Sequence, residues 1–234
     1  MGKDIVAVDN CDPNTVLQYE EGKALSGASK QTIRTWYAED ICGNKTAYSQ
    51  VINCQGMSLQ LKALLQGALV NNNNEAIMRD DLRRLDLLPL EEPYSDFKEY
   101  THVGQGGGEI VDPSLFQQTG DKAIVDWVFI ELMNADNFEE VIATKSALIQ
   151  RDGNVVNVDG NPIISFFDVP NGEYYVKLRH RNHLPLETLY PYTFTPSNIP
   201  FIDFTDEFLP LRGSTTRVVV NDQLAAWSLS LIHI

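Results

Sequence analysis

Arg179-His180-Arg181-Asn182-His183 places two imidazoles and two guanidiniums within five positions. Imidazole nitrogens ligate transition metals and guanidiniums receive anions, so the string offers a two-histidine metal site or an anion site. On a strand, Val176, Leu178 and His180 share one face, and Lys177, Arg179 and Arg181 the other. That alternation also supplies an ordinary role. His180 becomes a hydrogen-bonded residue at the edge of a core, and the arginines pair with nearby carboxylates. No third ligand can be named for His180 and His183, so the ordinary role is the expectation.

Asp152, Asn154, Asn157, Asp159 and Asn161 offer hard oxygen ligands of the kind calcium takes. Their spacing departs from the D-x-D-x-D-G loop, and no Glu stands at the twelfth position. Turn formation by Asp-Gly and Asn explains the same residues. No cofactor is therefore expected, with calcium at Asp152 and Asp159 as the exception to test.

Nothing else carries a reaction. GxSxG, HExxH and GxxxxGK[ST] are absent from the sequence. Gly104-Gln105-Gly106-Gly107-Gly108 lacks a following Lys-Ser/Thr and reads as a flexible loop. The carboxylate pairs Asp80-Asp81, Glu91-Glu92 and Glu139-Glu140 are sequence neighbours, which on a strand point to opposite faces. They read as solvated groups rather than as an acid and its base. An enzyme is not expected.

Cys11, Cys42 and Cys54 lie in the first quarter, with no CxxC pair and no histidine there, which disfavours zinc. Cys11 and Cys42 each sit in a polar turn, Asp9-Asn10-Cys11-Asp12-Pro13-Asn14 and Asp40-Ile41-Cys42-Gly43-Asn44. Two readings stand: three buried thiols, or one disulfide between Cys11 and Cys42 with Cys54 left over. Such a bridge would stabilise a small unit by roughly 3–4 kcal/mol.

The elements that must position these residues read as strands. Of 234 residues, 43% are hydrophobic and 21% charged, enough to bury a core. Eighteen Lys and Arg against 32 Asp and Glu give a net charge of −14, so nucleic acid is excluded as a partner. No run of about 18 uncharged apolar residues predicts a membrane span. The first ten residues lack the basic and apolar regions of a signal peptide. Residues 3–8, 15–19, 31–38 and 46–53 read as short strands between Asp/Asn/Gly/Pro turns, and we expect an all-β sandwich whose first strands are missing.

Gln55-Gly56 marks a junction. Residues 58–69 fit either a strand or a helix. Residues 71–74 form a loop tip, and residues 79–85 a helix of about two turns. Strands follow at 123–133, 141–150 and 155–158. Residues 163–169 and 173–181 read as a hairpin about Pro170-Asn171-Gly172. Late strands are expected at 201–204 and 217–220. Strands at this spacing, with few helical windows, predict a second sandwich over 57–227.

Two resemblances sharpen this. Ile33-Arg34-Thr35-Trp36-Tyr37-Ala38-Glu39-Asp40-Ile41-Cys42-Gly43-Asn44, with Asn10-Cys11-Asp12-Pro13-Asn14 upstream, resembles the closing half of hyalin-repeat-like domains. Those are immunoglobulin-like modules of secreted bacterial surface proteins. The resemblance implies that residues 1–55 are the C-terminal part of such a domain and that Cys11 and Cys42 are bridged. Phe166 to Leu178, with Val169-Pro170-Asn171-Gly172-Glu173-Tyr174-Tyr175-Val176, is similar to the F-x-x-L/V-P-x-G-x-Y-x-V signature of transthyretin-like sandwiches. Leu65-Gln66-Gly67-Ala68, residues 78–94, 123–132 and 165–184 resemble a segment of large exported modular proteins. There the first stretch is a strand, so a strand is expected over 58–69. In those proteins the segment often precedes a dockerin-like calcium repeat, whose entry Ala226-Trp227 matches. Residues 228–234 resemble a translated sequencing-adapter tail and read as non-native.

The combined expectation is an all-β chain, a truncated immunoglobulin-like sandwich followed by a transthyretin-like sandwich with one short helix. It implies a non-catalytic structural or adhesive module of a secreted or cell-surface bacterial protein. Its partners would be the neighbouring domains of the same parent, with glycans or surface proteins beyond them. The alternative is a carbohydrate-binding or other ligand-binding module attached to an extracellular enzyme, with Tyr174, Tyr190, Tyr192 and Trp127 as candidates for an exposed aromatic row.

Overall fold

A computed structural model describes residues 6–8, 15–26, 29–70, 77–213 and 215–229. The chain is all-β, and the described residues include one short α-helix and isolated 3-10 turns. Its internal contacts divide it into two units, Met1–Gln55 and Gly56–Ile234.

The first unit is an antiparallel meander of β1 (Val16–Ser26), β2 (Ser29–Glu39) and β3 (Lys45–Gln55). Thr, Ile, Trp and Tyr favour a pleated surface over a helix because branched and aromatic side chains pack well across strands. Register aligns Tyr19, Trp36 and Tyr48 on one face. The β2–β3 turn is organised by Asp40, whose Oδ1 accepts the amides of Cys42 at 2.9 Å and Asn44 at 2.8 Å. Among the described side chains only Ala38 is a buried hydrophobic. Most of the strand expected over 3–8 lies outside the described residues, and residues 6–8 carry no regular structure.

The second unit is built from two facing sheets. The larger holds β5 (Ile124–Asn134) at its centre, between β6 (Val141–Gln150) and β9 (Gly172–His180). β7 (Val155–Val156) extends it beyond β6. On the far edge, β10 (His183–Glu187) and β11 (Tyr192–Phe194) both pair with β9. The smaller sheet has β4 (Met57–Lys62) between β8 (Ile164–Phe166), antiparallel, and β12 (Phe201–Asp203), parallel. A ribbon of β13 (Arg217–Val220) and β14 (Gln223–Ala226) completes the unit. Leu59 and Leu61 of β4 pack with Val128, Ile130 and Leu132 of β5 and Val176 and Leu178 of β9 in one apolar core.

β5 is apolar on both faces, and both are buried. Its second face presents Ile124, Trp127 and Phe129 to an irregular stretch between the helix α1 (Asp81–Arg84) and the start of β5. Leu88, Tyr94, Tyr100, Val111 and Leu115 of that stretch close a second core. Trp127 Nε1 donates to Pro89 O at 3.0 Å, and Tyr94 Oη to Trp127 O at 2.8 Å, so the aromatic polar tips are satisfied.

Three expectations change. The strand expected over 58–69 ends at Lys62, and a 3-10 turn at Gln66–Ala68 follows. The segments flanking Pro170-Asn171-Gly172 do not form a hairpin. β8 pairs with β4 in the smaller sheet while β9 enters the larger one, so this connection crosses between layers, with Asp168 at φ +62°. Within two of the carboxylate pairs one member is buried: Asp80 and Glu92 are 7% and 4% exposed. The loop tip at residues 71–74 lies outside the described residues.

Replacing Phe129 by Ala empties a site ringed by Tyr94, Tyr100 and His102. We expect a loss of about 3–5 kcal/mol in urea unfolding. Ile110→Ala, at a side chain 65% exposed, should stay within about 0.5 kcal/mol. Equal costs would show that the second core is not packed as described.

Candidate functional site

The histidine string sits where β9 ends and β10 begins, and His180 and His183 form a register pair across that turn. Alternation on β9 works as the sequence reading states: Val176, Leu178 and His180 are buried on the face toward the smaller sheet. Arg179 points to the other face, bonds Glu131 Oε1 at 2.8 Å and stacks over Tyr100 at 4.0 Å.

Asp126 supplies the buried partner that sequence reasoning missed. A bulge in β5 between Ile124 and Asp126 sets the carboxylate beside the end of β9. Its Oδ2 lies 3.1 Å from His180 Nε2 and accepts from Arg181 Nη2 at 2.7 Å, and its Oδ1 accepts the Trp127 amide at 2.8 Å. The signal was an acidic residue inside the apolar run Ala123 to Met133, buried only if something pairs it.

The hydrogen bonds fix the tautomers. The amide of Asn182 donates to His180 Nδ1 at 3.2 Å, so that nitrogen is an acceptor and Nε2–H donates to Asp126. His183 Nδ1 approaches the same acceptor at 2.8 Å and therefore carries its proton. His183 Nε2 is the acceptor that remains, engaged weakly by the Gly67 amide at 3.5 Å. Burial, with His180 beside it, pushes the His183 pKa down to about 3, so the ring is neutral at pH 7.

The pair borders a cleft of about 480 Å3. Leu65, Ala68, Leu82 and Val125 are its apolar walls, and Arg79 and Asp81 stand among its polar ones. Leu229 also lines it. Ser228 forms a bridge with His183, and its Oγ donates to Gln66 Oε1 at 2.9 Å. The arrangement holds one neutral imidazole acceptor against an apolar hollow. Among the described residues, no group of three or more His, Cys, Asp or Glu side chains is placed to hold a metal ion.

The remaining sequence candidates are separate from this cluster. Asp152 accepts from Lys122 Nζ at 2.8 Å and from the amide and side chain of Asn154. Asp159 accepts the amide of Asn161 at 3.0 Å. Each carboxylate works within its own turn or for a neighbouring lysine. Cys42 is an exposed free thiol, Cys11 lies outside the described residues, and so does residue 54's side chain. Trp127 and Tyr174 are buried and Tyr190 is 65% exposed, so the four aromatic candidates make no exposed row.

A second polar cluster pins the glycine loop. Glu92 accepts the amides of Tyr94 at 2.8 Å and Gly108 at 3.2 Å, with hydroxyls from Ser95 and Ser146. Burial raises its pKa, but these bonds outweigh it and hold the carboxyl below its usual range. His102 Nε2 lies 3.2 Å from Glu92 without hydrogen-bond alignment. A Cβ at Gly106 would stand 2.3 Å from Thr144 O, which is why that position is glycine. Sequence reading gave this loop freedom, because the buried carboxylate that accepts the Gly108 amide lies sixteen residues upstream.

The chain matches no protein-family model, no curated protein and no solved structure.

A histidine whose pKa falls on folding binds its proton more weakly in the native state than in the unfolded one. Stability is then full above about pH 6.5 and declines as pH falls toward 3. Lowering pH from 7 to 5 should cost up to about 2 kcal/mol through this ring. Chemical denaturation of His183→Gln across the same interval should show that slope removed. An unchanged slope would refute the buried neutral assignment.

Proposed function

We propose that the chain is a non-catalytic structural module of a secreted or cell-surface multidomain protein, a bead whose work is spacing and contact. One observation carries this reading. In the second unit, the segment just after the entering strand β4 runs parallel to the end of β14, through a Leu65–Ala226 bridge whose Ala226 amide donates to Leu64 O at 2.7 Å. Tension applied at Gly56 and beyond Ala226 pulls the two sides of this bridge in opposite directions along the strands, which loads it in shear. A unit wired in this way suits a chain under load.

The resemblances support the same reading. They imply an immunoglobulin-like end followed by a transthyretin-like sandwich and an extracellular bacterial setting; the Cys11–Cys42 bridge they also imply is not formed here, where Cys42 is a free thiol. The described residues contain no helix long and apolar enough to cross a membrane. Among the described side chains of the first unit, Ala38 alone is a buried hydrophobic.

A glycan-binding role is the second reading, favoured by a row that sequence did not single out. Tyr19, Trp36 and Tyr48 lie across three strands with ring centroids 5.5 and 6.0 Å apart, and the two tyrosines are 51% and 61% exposed.

Single-molecule pulling of the full chain between its ends tests the first reading. The second unit should release in one cooperative step of about 600 Å. The force should exceed that for the same unit pulled between Gly56 and a cysteine handle at Asn171. Equal forces in the two geometries would remove the support for a load-bearing spacer.

A further inference from the structure

The cleft beside His183 is electrically matched and chemically incomplete. Asp126 is held by Arg181 and His180. Asp81 lies 3.7 Å from Arg79 and 3.9 Å from Arg84, and Arg79 also donates to Gly67 O at 3.0 Å. Ser228 is engaged by Gln66. At Asp126 an ionic ligand would have to displace a buried pair, whereas Arg79, Asp81 and Arg84 form only exposed pairs at the rim.

One buried acceptor is only weakly engaged. His183 is 8% exposed, and its Nε2 receives a single contact at the outer limit of a hydrogen bond. Its other nitrogen is committed to His180, so the ring cannot turn to present a proton instead. A buried acceptor without a good donor costs free energy, and a donor brought in by a ligand recovers it. Apolar walls and one fixed polar point are the ordinary composition of a small-molecule site, and about 480 Å3 falls within the usual range.

We propose that this cleft is a binding site for a small uncharged molecule with an apolar body and a hydroxyl group, the hydroxyl donating to His183 Nε2 while the body lies against Leu65, Ala68, Leu82 and Val125. The site goes beyond the spacer reading and does not depend on it. Asp126 and His180 act as positioning residues: they fix the tautomer in which His183 Nε2 is an acceptor with only the long Gly67 contact. The buried charge nearest the hollow, Asp126, is already paired, which favours a neutral ligand over a charged one.

Phenol is the probe, with anisole as its partner of the same ring but no donor. Titration of the full chain at pH 7, followed through the histidine ring nitrogens by NMR, should give phenol a Kd of about 1 mM or tighter. The Nε2 resonance of His183 should move, and anisole should bind about fivefold more weakly. Ala68→Trp, which fills the hollow from one wall, should abolish both. Equal binding of phenol and anisole overturns the proposal by showing an apolar hole only. Phenol binding without a shift at His183, or binding that survives Ala68→Trp, places the ligand elsewhere and overturns it as well. Absence of phenol binding at 10-fold above about 1 mM also rejects it.

Discussion

The second unit depends on β5 being buried on both faces. A central strand with one wet face can alternate polar and apolar residues, but this one carries Trp127 and Phe129 opposite Val128 and Ile130. Something must therefore cover each side. A regular sheet covers one. The other is covered by a long stretch with one turn of helix and several 3-10 turns, whose backbone amides find only an isolated Glu91–Ile110 bridge rather than a regular ladder. Glu92 answers part of that need by gathering amides from both ends of the covering stretch, and Glu109, beside Lys145, holds the Gly107 amide. The two buried carboxylates are part of how an irregular segment becomes a stable layer.

The same logic places the histidines. β9 leaves the core at His180, and the bulge in β5 turns Asp126 into the sandwich face at that level. A carboxylate there needs donors, and His180, Arg181 and the Trp127 amide supply them. Once His180 is fixed by Asp126, its remaining nitrogen orients His183, and the polarity of the cleft follows from a packing requirement three residues away.

Much of this was legible in the sequence, and the failures have causes. The all-β character came through in runs such as Ala123 to Met133 and Gln31 to Ala38, because period and residue type agree there. The alternation of Val176, Leu178 and His180 was also readable, since it is local to one strand. The hairpin about Pro170-Asn171-Gly172 was misread because a turn sequence says that the chain bends, not which sheet it enters next. Asp126, Glu92 and the row Tyr19–Trp36–Tyr48 were missed for a shared reason: each acquires meaning only through register or a distant partner. Sequence neighbours such as Glu91 and Glu92 look alike, yet only the second meets Gly108 and Ser146.

Chain order adds a last point about the covering stretch. It precedes β5, whereas the strands that flank β5, β6 and β9, come after it. On a ribosome, the shield for Trp127 and Phe129 is therefore complete before the most apolar strand emerges, and it is available during the interval when β6 and β9 have yet to be made. A sticky ribbon that arrives with its wrapper already synthesised has less time to find the wrong neighbour.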